Sequence, residues 1–162
     1  MLSRPGLSAL LTVLAVLVVL VLACGCGQAP GGRVEAGPVD AAALRTAAEA
    51  WVGTPHRIGG RARTGVDCSG LVLELLEPYG ARLPRRAEAM RAVGVRVRGT
   101  PRAGDLAFFA TRRADGLKGH VGVVLDRDSF VHATASKGVL VSSLSSPYWG
   151  PRLQEVRRVC CP

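Results

Sequence analysis

The stretch that decides the fold is TGVDCSGLVL, residues 64–73, in which a cysteine lies between an acidic residue and a Ser-Gly pair. Asp67 is a suitable N-cap, because its carboxylate can accept a hydrogen bond from an unpaired N–H of a first helical turn. Cys68 then lies in that turn, where the positive end of the helix dipole favours the thiolate. A lone cysteine is also often a small buried hydrophobic residue. This stretch alone therefore supports a reactive thiol and an inert one equally.

The composition fits one domain with an excess of positive charge. The chain has 162 residues, 48% of them hydrophobic, with 21 Lys and Arg against 12 Asp and Glu and a formal charge of +9. A single domain is the expected organisation at this length. A basic surface attracts polyanions, but the arginines are scattered and no nucleic-acid-binding motif is present. We therefore expect no nucleic-acid partner, and we expect a monomer.

Residues 1–23 have the features of an export signal. A short basic start precedes an almost entirely apolar run, Leu7–Ala23, which is somewhat shorter than the roughly 20 residues of a membrane-spanning helix. The small residues that end this run fit signal cleavage. Cys24 follows directly, as in a bacterial lipoprotein box, and this resemblance implies lipid attachment there, with Cys26 as a second candidate. The alternative is an uncleaved N-terminal anchor, and in both cases the domain lies outside the cytoplasm.

The rest of the chain divides into a tether, residues 24–39, and a domain, residues 40–162. Glycine and proline without apolar periodicity predict a flexible tether. Helices are predicted over Ala41–Val52, from Cys68 to about Glu77, and from Pro84 to about Ala92. Strands are predicted over Val95–Arg98, Leu106–Ala110, His120–Leu125, Ser129–Thr134, Gly138–Ser142 and Leu153–Val159, with a polar surface loop over Thr111–Gly119. Helices first and an antiparallel meander afterwards predict an α+β domain.

Two histidines, His120 and His132, lie in this meander. If their strands form a hairpin with a three-residue turn at Leu125–Arg127, the two residues face each other with Cβ atoms about 4.5–5.5 Å apart. Gly119 and Gly122 flank His120 without side-chain bulk, so another backbone or a substrate can come close.

A helix-borne cysteine facing a histidine pair is the arrangement that a thiol hydrolase needs. One imidazole takes the thiol proton, and the other holds the first in the required orientation and tautomer. Either histidine alone would favour a structural role, but the pair together with Cys68 favours catalysis. One Cys and two His could also hold zinc, but no single element offers a ligand pair. We therefore predict no metal and no cofactor.

Six motifs occur in an order that resembles the NlpC family of bacterial cell-wall cysteine endopeptidases. The resemblance covers about Ala41–Val159 and rests on WVGTPHRIGG (51–60), VDCSGLV (66–72), LPR (83–85), PRAGDL (101–106), GHVGVV (119–124) and FVHA (130–133). It implies a papain-like α+β fold, with N-terminal helices packed on an antiparallel sheet of about five to six strands. It also implies hydrolysis of amide bonds in peptidoglycan stem peptides, either at the D-Glu–diaminopimelate link or at the crosslink.

The resemblance also implies roles for individual residues. Cys68 matches the nucleophile, His120 the general base, and His132 the third polar residue that orients the base. Asp67 and Ser69 border the nucleophile, and in relatives this area can meet the amino group of the substrate. With lipid at the N-terminus, we expect an envelope protein held to a membrane, on the periplasmic face of the outer membrane rather than at the inner one.

The sequence departs from the family pattern at two positions. His56 stands where the family often has a tyrosine that can donate to the oxyanion, and Met90 stands where relatives often have a glutamine. The role of His56 stays open between a candidate oxyanion donor and an extension of the histidine cluster, while Met90 implies a different substrate fit at that edge. The adjacent cysteines Cys160 and Cys161 are predicted to lie in a frayed tail, with a bond to another chain as the alternative. The alternatives to an endopeptidase are a catalytically silent wall-binding lipoprotein and an acyl- or amide-transferring enzyme on the same fold.

Overall fold

The computed structural model describes residues 38–113 and 116–160. The predicted export signal, Cys24 and Cys26, most of the tether and Cys161 lie outside these residues. Within the described part of the chain, no helix combines the length and the apolar character needed to cross a membrane.

Three α-helices lie in the first half of the domain: α1 (Ala41–Glu49), α2 (Cys68–Leu76) and α3 (Ala87–Met90). Both predicted N-caps are confirmed. The Asp40 carboxylate accepts the N–H groups of Ala42 and Ala43 at 2.9 and 3.2 Å. Asp67 accepts that of Gly70 at 2.6 Å. Helix α1 ends before the predicted Val52. Helix α3 is a single turn rather than a helix from Pro84 to Ala92, because Arg86 before it has an extended backbone and makes no side-chain cap.

Six strands form one antiparallel sheet in the order β3-β8-β4-β5-β6-β7, and two short ones, β1 (Arg61–Ala62) and β2 (Gly65–Val66), pair separately just before α2. The predicted α+β class and sheet size are thus confirmed. The six strands are β3 (Val95–Arg96), β4 (Leu106–Arg113), β5 (Gly116–Val124), β6 (Ser129–Thr134), β7 (Gly138–Ser143) and β8 (Leu153–Arg158).

The predicted surface loop over Thr111–Gly119 is wrong. Strands β4 and β5 pair without interruption from Leu106 opposite Val123 to Arg113 opposite Gly116, so most of this segment is a long hairpin. Its polar residues suggested a loop, but a hairpin that continues beyond the core needs no apolar face.

The two faces of the sheet have different environments. Helix α2 packs against β5 and β6 over the main core, which includes Phe108 and Val121. Side chains alternate along a strand, so Phe109 points to the other face, into a smaller cluster with Phe130 and Trp149. At the end of the described chain, Cys160 is buried in the main core with 6% of its surface exposed, so the predicted frayed tail is wrong at this residue.

Candidate active site

The thiol of Cys68 lies at the start of α2, half-buried, beside strand β5. Burial raises the pKa of this thiol, against hydrogen bonds with the backbone of Val121 and Ser69, and the negative charges of Asp67 and Glu88 raise it further. Burial thus opposes the effect of the helix dipole, which favours the thiolate. A base is needed to remove the proton.

His120 and His132 share one face of the sheet, but they are not directly opposite each other. Strand β5 pairs with β6 through Val123 opposite Val131 and Val124 opposite Phe130, so the predicted register is wrong by two residues. A shift of two preserves the face of every side chain, which is why the two histidines still meet.

The position of the turn explains this register. The carboxylate of Asp126 accepts hydrogen bonds from the N–H groups of Asp128 and Ser129 at 2.9 and 2.6 Å, and the N–H of Leu125 donates to the carbonyl of Ser129 at 2.8 Å. An aspartate that accepts hydrogen bonds from the backbone two and three residues later stabilises a turn that starts at the aspartate itself. The three-residue turn is therefore 126–128, one residue later than predicted.

The two imidazoles are in direct contact. Nε2 of His120 lies 2.9 Å from Nδ1 of His132, with the ring planes at 85°. On its other side, Nε2 of His132 lies 2.9 Å from Oγ of Ser142. His132 has no exposed surface and His120 only 9%. Burial, together with the neighbouring charge of His120, lowers the pKa of His132 from 6.5 to about 3. His132 is therefore neutral at neutral pH.

Gly122 makes this close approach possible. A Cβ at this position would lie 2.6 Å from Cδ2 of Phe130 and 2.8 Å from the carbonyl oxygen of Val131. The prediction that glycine admits a close neighbour here is confirmed. Gly119 is roomier, since a Cβ there would be 3.4 Å from the Glu88 carboxylate.

Aromatic rings enclose the histidine pair. The ring of Trp149 stacks on His120 at 5.2 Å and 18°, and meets His132 nearly at right angles, at 4.7 Å and 81°. Phe130 stacks on His132 at 4.6 Å and 22°. Sequence reasoning missed Trp149 and also Ser142. The one available signal was a tryptophan in a chain that has only two.

A hydrogen-bonded cluster surrounds the N-terminus of helix α2. Nη2 of Arg85 donates to Oδ2 of Asp67 at 2.7 Å, while Nη1 donates to Oδ1 at 2.9 Å and to Oγ of Ser69 at 2.7 Å. Asp67 also accepts the N–H groups of Gly59 and Gly70. Burial opposes ionisation of Asp67, but these hydrogen bonds outweigh it and lower its pKa. Arg85 lies in the quoted LPR motif, yet sequence reasoning assigned it no role.

All six site residues predicted within the domain line one cavity of about 1170 Å³. These residues are Cys68, His120, His132, His56, Asp67 and Ser69. His56 is held beside Val66 of β2 by a parallel bridge, which places it close to the start of α2. The exposed charged side chains of Arg86, Glu88 and Lys137 line the same cavity. In residues 38–113 and 116–160, no group of three or more His, Cys, Asp or Glu side chains is arranged to hold a metal ion.

A helix-borne thiol that lines one cavity with two strand-borne imidazoles, on a sheet of this topology, is typical of papain-like cysteine peptidases. Residues 53–158 match the model of the NlpC/P60 family, and the chain belongs to that family. It is 34% identical over 151 residues to the probable endopeptidase NlpC of Escherichia coli (strain K12), a match that covers 89% of this chain and 97% of the relative.

Two further comparisons agree with this assignment. The chain is 41% identical over 111 residues to murein DD-endopeptidase MepS/murein LD-carboxypeptidase of Escherichia coli (strain K12), which covers 67% of this chain but only 57% of that relative. The crystal structure of an NlpC/P60 family protein from Bacillus cereus ATCC 10987 superimposes with a TM-score of 0.67 and 25% identity, covering 76% of this chain and 41% of the other. The papain-like fold expected from the sequence is confirmed.

Proposed function

We propose that this protein is an envelope-anchored peptidoglycan endopeptidase that hydrolyses amide bonds of stem peptides. Cys68 is its nucleophile, His120 its general base, and His132 the residue that orients the base. The observation that carries the proposal is the 2.9 Å contact between the imidazoles of His120 and His132, in a cavity that Cys68 also lines. Relatives named as murein or probable endopeptidases support the same substrate class.

The first half of the reaction forms a thioester. Because Nε2 of His120 is engaged with His132, His120 takes the Cys68 proton through Nδ1. The sulfur then attacks the amide carbon, and the carbonyl electron pair moves to the oxygen. Backbone N–H groups at the start of α2, that of Cys68 among them, are candidate donors to this oxyanion, with His56 as a candidate side-chain donor. His120 returns the proton to the leaving nitrogen as the C–N bond breaks.

The second half releases the acyl group. A water molecule gives a proton to Nδ1 of His120 and adds to the thioester carbon. The C–S bond then breaks, the product leaves as a carboxylic acid, and the sulfur regains its proton. Neutral His132 accepts a hydrogen bond from Nε2 of His120 in both halves, which holds the ring in one orientation.

The charges around the cavity suit a stem peptide. Such peptides carry free carboxylates and amino groups, and the cavity presents cationic Arg86 and Lys137 as well as anionic Glu88. The proposed anchor is lipid (palmitate among its acyl chains) on Cys24, and two or three acyl chains would hold the protein durably at a membrane. No separate wall-binding module is required if the anchor and the basic surface together bring the domain to the wall.

The test is digestion of purified sacculi and of defined muropeptides by the Cys68→Ala variant, with products identified by mass. We expect no soluble product from Cys68→Ala and full activity from Cys160→Ala, whose cysteine is buried in the core away from the cavity. Unchanged digestion by Cys68→Ala would refute the proposal. Sacculus binding by the wild type without any product would favour a silent binding protein, and products joined to an added amine would favour a transferase. The anchor is tested separately by loss of palmitate labelling in Cys24→Ala.

A further inference from the structure

The chain of polar contacts at the site continues beyond His132 to strand β7. Each ring nitrogen of His132 has a partner at 2.9 Å, His120 on one side and Ser142 on the other. We propose that Ser142 is a positioning residue that accepts a hydrogen bond from His132 and thereby sets the tautomers of both histidines. This inference rests on the proposed roles of Cys68 and His120 and adds a member that those roles do not include.

The contacts of the two histidines determine where each ring carries its proton. For His120 to take a proton from Cys68 at Nδ1, that nitrogen must carry the lone pair, so neutral His120 has its proton on Nε2. This N–H points at Nδ1 of His132, 2.9 Å away, which must therefore accept. Neutral His132 then carries its own proton on Nε2, and this N–H must donate to Oγ of Ser142. One tautomer at each histidine satisfies all three conditions.

The opposite order of protons disables the base. If the hydroxyl of Ser142 donated to Nε2 of His132, then Nδ1 of His132 would carry the proton and donate to Nε2 of His120. Neutral His120 would then be protonated at Nδ1, the nitrogen that must receive the thiol proton. The same hydrogen bonds would be made, but the site could not begin the reaction.

Protonated His120 requires the same tautomer of His132. Once His120 holds the proton of Cys68, both of its ring nitrogens donate, and His132 must accept at Nδ1. His132 has no exposed surface, so bulk water cannot satisfy its Nε2–H in place of the serine. Oxygen is needed at Ser142 both when the base is ready and when it is charged.

The location of Ser142 suits an acceptor. It is half-buried and lines the cavity, so its hydroxyl hydrogen can point to water while its oxygen accepts from the buried imidazole. A hydroxyl group can both donate and accept. The hydroxyl of Ser142 alone therefore does not decide the direction of this hydrogen bond. The direction is decided by buried His132, whose Nε2–H needs an acceptor.

The test compares Ser142→Ala with Ser142→Thr, which keeps the hydroxyl, in the full chain. The first readout is the rate at which iodoacetamide alkylates Cys68 as a function of pH, after subtracting the rate of Cys68→Ala. We expect Ser142→Ala to react about tenfold or more slowly, because an unsatisfied buried N–H opposes the productive tautomer. The inflection that reports His120 should move to lower pH, since the tautomer of His132 that accepts from protonated His120 leaves a buried N–H unsatisfied in this variant. Ser142→Thr should restore both.

The second readout is the tautomeric state of the histidines from ¹⁵N NMR of the wild-type protein. We expect the proton of His132 on Nε2 and that of neutral His120 on Nε2. Protons on Nδ1 in the wild type would overturn the proposal even if Ser142→Ala failed to fold. A matched control is Ser145→Ala, which removes an exposed hydroxyl from the same segment and should leave rate and pH profile unchanged.

These readouts need no peptidoglycan, so they separate this inference from the proposed function. If the wild type releases no muropeptides but its tautomers and alkylation profile are as expected, the proposed function fails and the role of Ser142 stands. If the wild type digests sacculi while Ser142→Ala keeps the wild-type pH profile, the role of Ser142 is refuted, whatever its effect on stability.

Discussion

Replacing His132 with asparagine should make the domain less sensitive to acid. His132 has no exposed surface and its pKa falls from 6.5 to about 3 on folding. Between these two values the unfolded chain binds a proton at this residue and the folded chain does not. The contribution of His132 to stability is therefore most favourable above pH 6.5 and is lost as the pH falls towards 3.

The size of the effect follows from the shift. Each pH unit in this window costs about 1.4 kcal/mol, so the loss is about 2 kcal/mol at about pH 5 and approaches about 5 kcal/mol at about pH 3. No discount for solvent screening applies, because the imidazole is fully buried. Other groups also titrate in acid, but those that do not contact His132 are unchanged in both proteins and cancel in the comparison.

The assay is urea unfolding of the full chain, followed by tryptophan fluorescence, at about pH 7.5 and about pH 5. The wild type should lose about 2 kcal/mol more than His132→Asn between these conditions. A control is Phe108→Leu, which removes volume from the main core on the opposite face of the sheet. It should lower the free energy of unfolding by about 1–2 kcal/mol equally at both pH values. If the wild type and His132→Asn lose the same free energy, His132 is not held neutral and the tautomer argument fails with it.

Two other substitutions test the packing and the hydrogen bonds that place the proposed catalytic groups. Gly122→Ala should lower the free energy of unfolding by about 1–3 kcal/mol, because its Cβ would lie 2.6 Å from a neighbouring ring atom and overpacking has a cost of this size. The rate of muropeptide hydrolysis should fall about tenfold or more. In the control Gly99→Ala, a Cβ meets nothing within 4 Å, so both quantities should stay unchanged, and equal effects of the two substitutions would contradict the packing argument. Arg85→Lys should lower the free energy of unfolding by about 1 kcal/mol in urea titrations, because lysine cannot bond both oxygens of Asp67 and the pair, with Arg85 37% exposed, is partly screened. An unchanged urea midpoint would mean that the ion pair of Arg85 and Asp67 contributes nothing to the free energy of unfolding.

Short-range sequence rules predicted the parts of the site that depend on neighbouring residues. The N-cap of Asp67 and the start of α2 at Cys68 follow from a side chain and the three N–H groups after it, and the structure has both. The common face of His120 and His132 also followed from parity alone. Parity survives a register error of two residues, which is why the two histidines meet although the turn was placed one residue early.

The features that the sequence did not predict depend on contacts between residues far apart in the chain. The hairpin of β4 and β5 extends through polar residues because its hydrogen bonds are made between strands and not within a local pattern. Trp149 reaches the histidine pair from a segment beyond β7, and no spacing rule connects it with His120. Arg85 meets Asp67 across 18 positions of the chain, and its role depends on a distance that only the fold defines.

At the thiol of Cys68, burial by distant parts of the chain opposes the effect of the local helix start. The N-cap and the helix start are where the sequence placed them, yet burial raises the pKa of Cys68. Burial also lowers the pKa of His132, so the surroundings favour the uncharged form of both groups. In the proposed mechanism, His120 becomes a cation when it takes the proton of Cys68, with the face of Trp149 stacked against its ring, where an aromatic face favours a cation. A substrate that excludes water from the cavity would strengthen the attraction between that imidazolium and the new thiolate. The free enzyme would therefore keep Cys68 as a thiol of low reactivity, and binding of the peptide would help to form the thiolate.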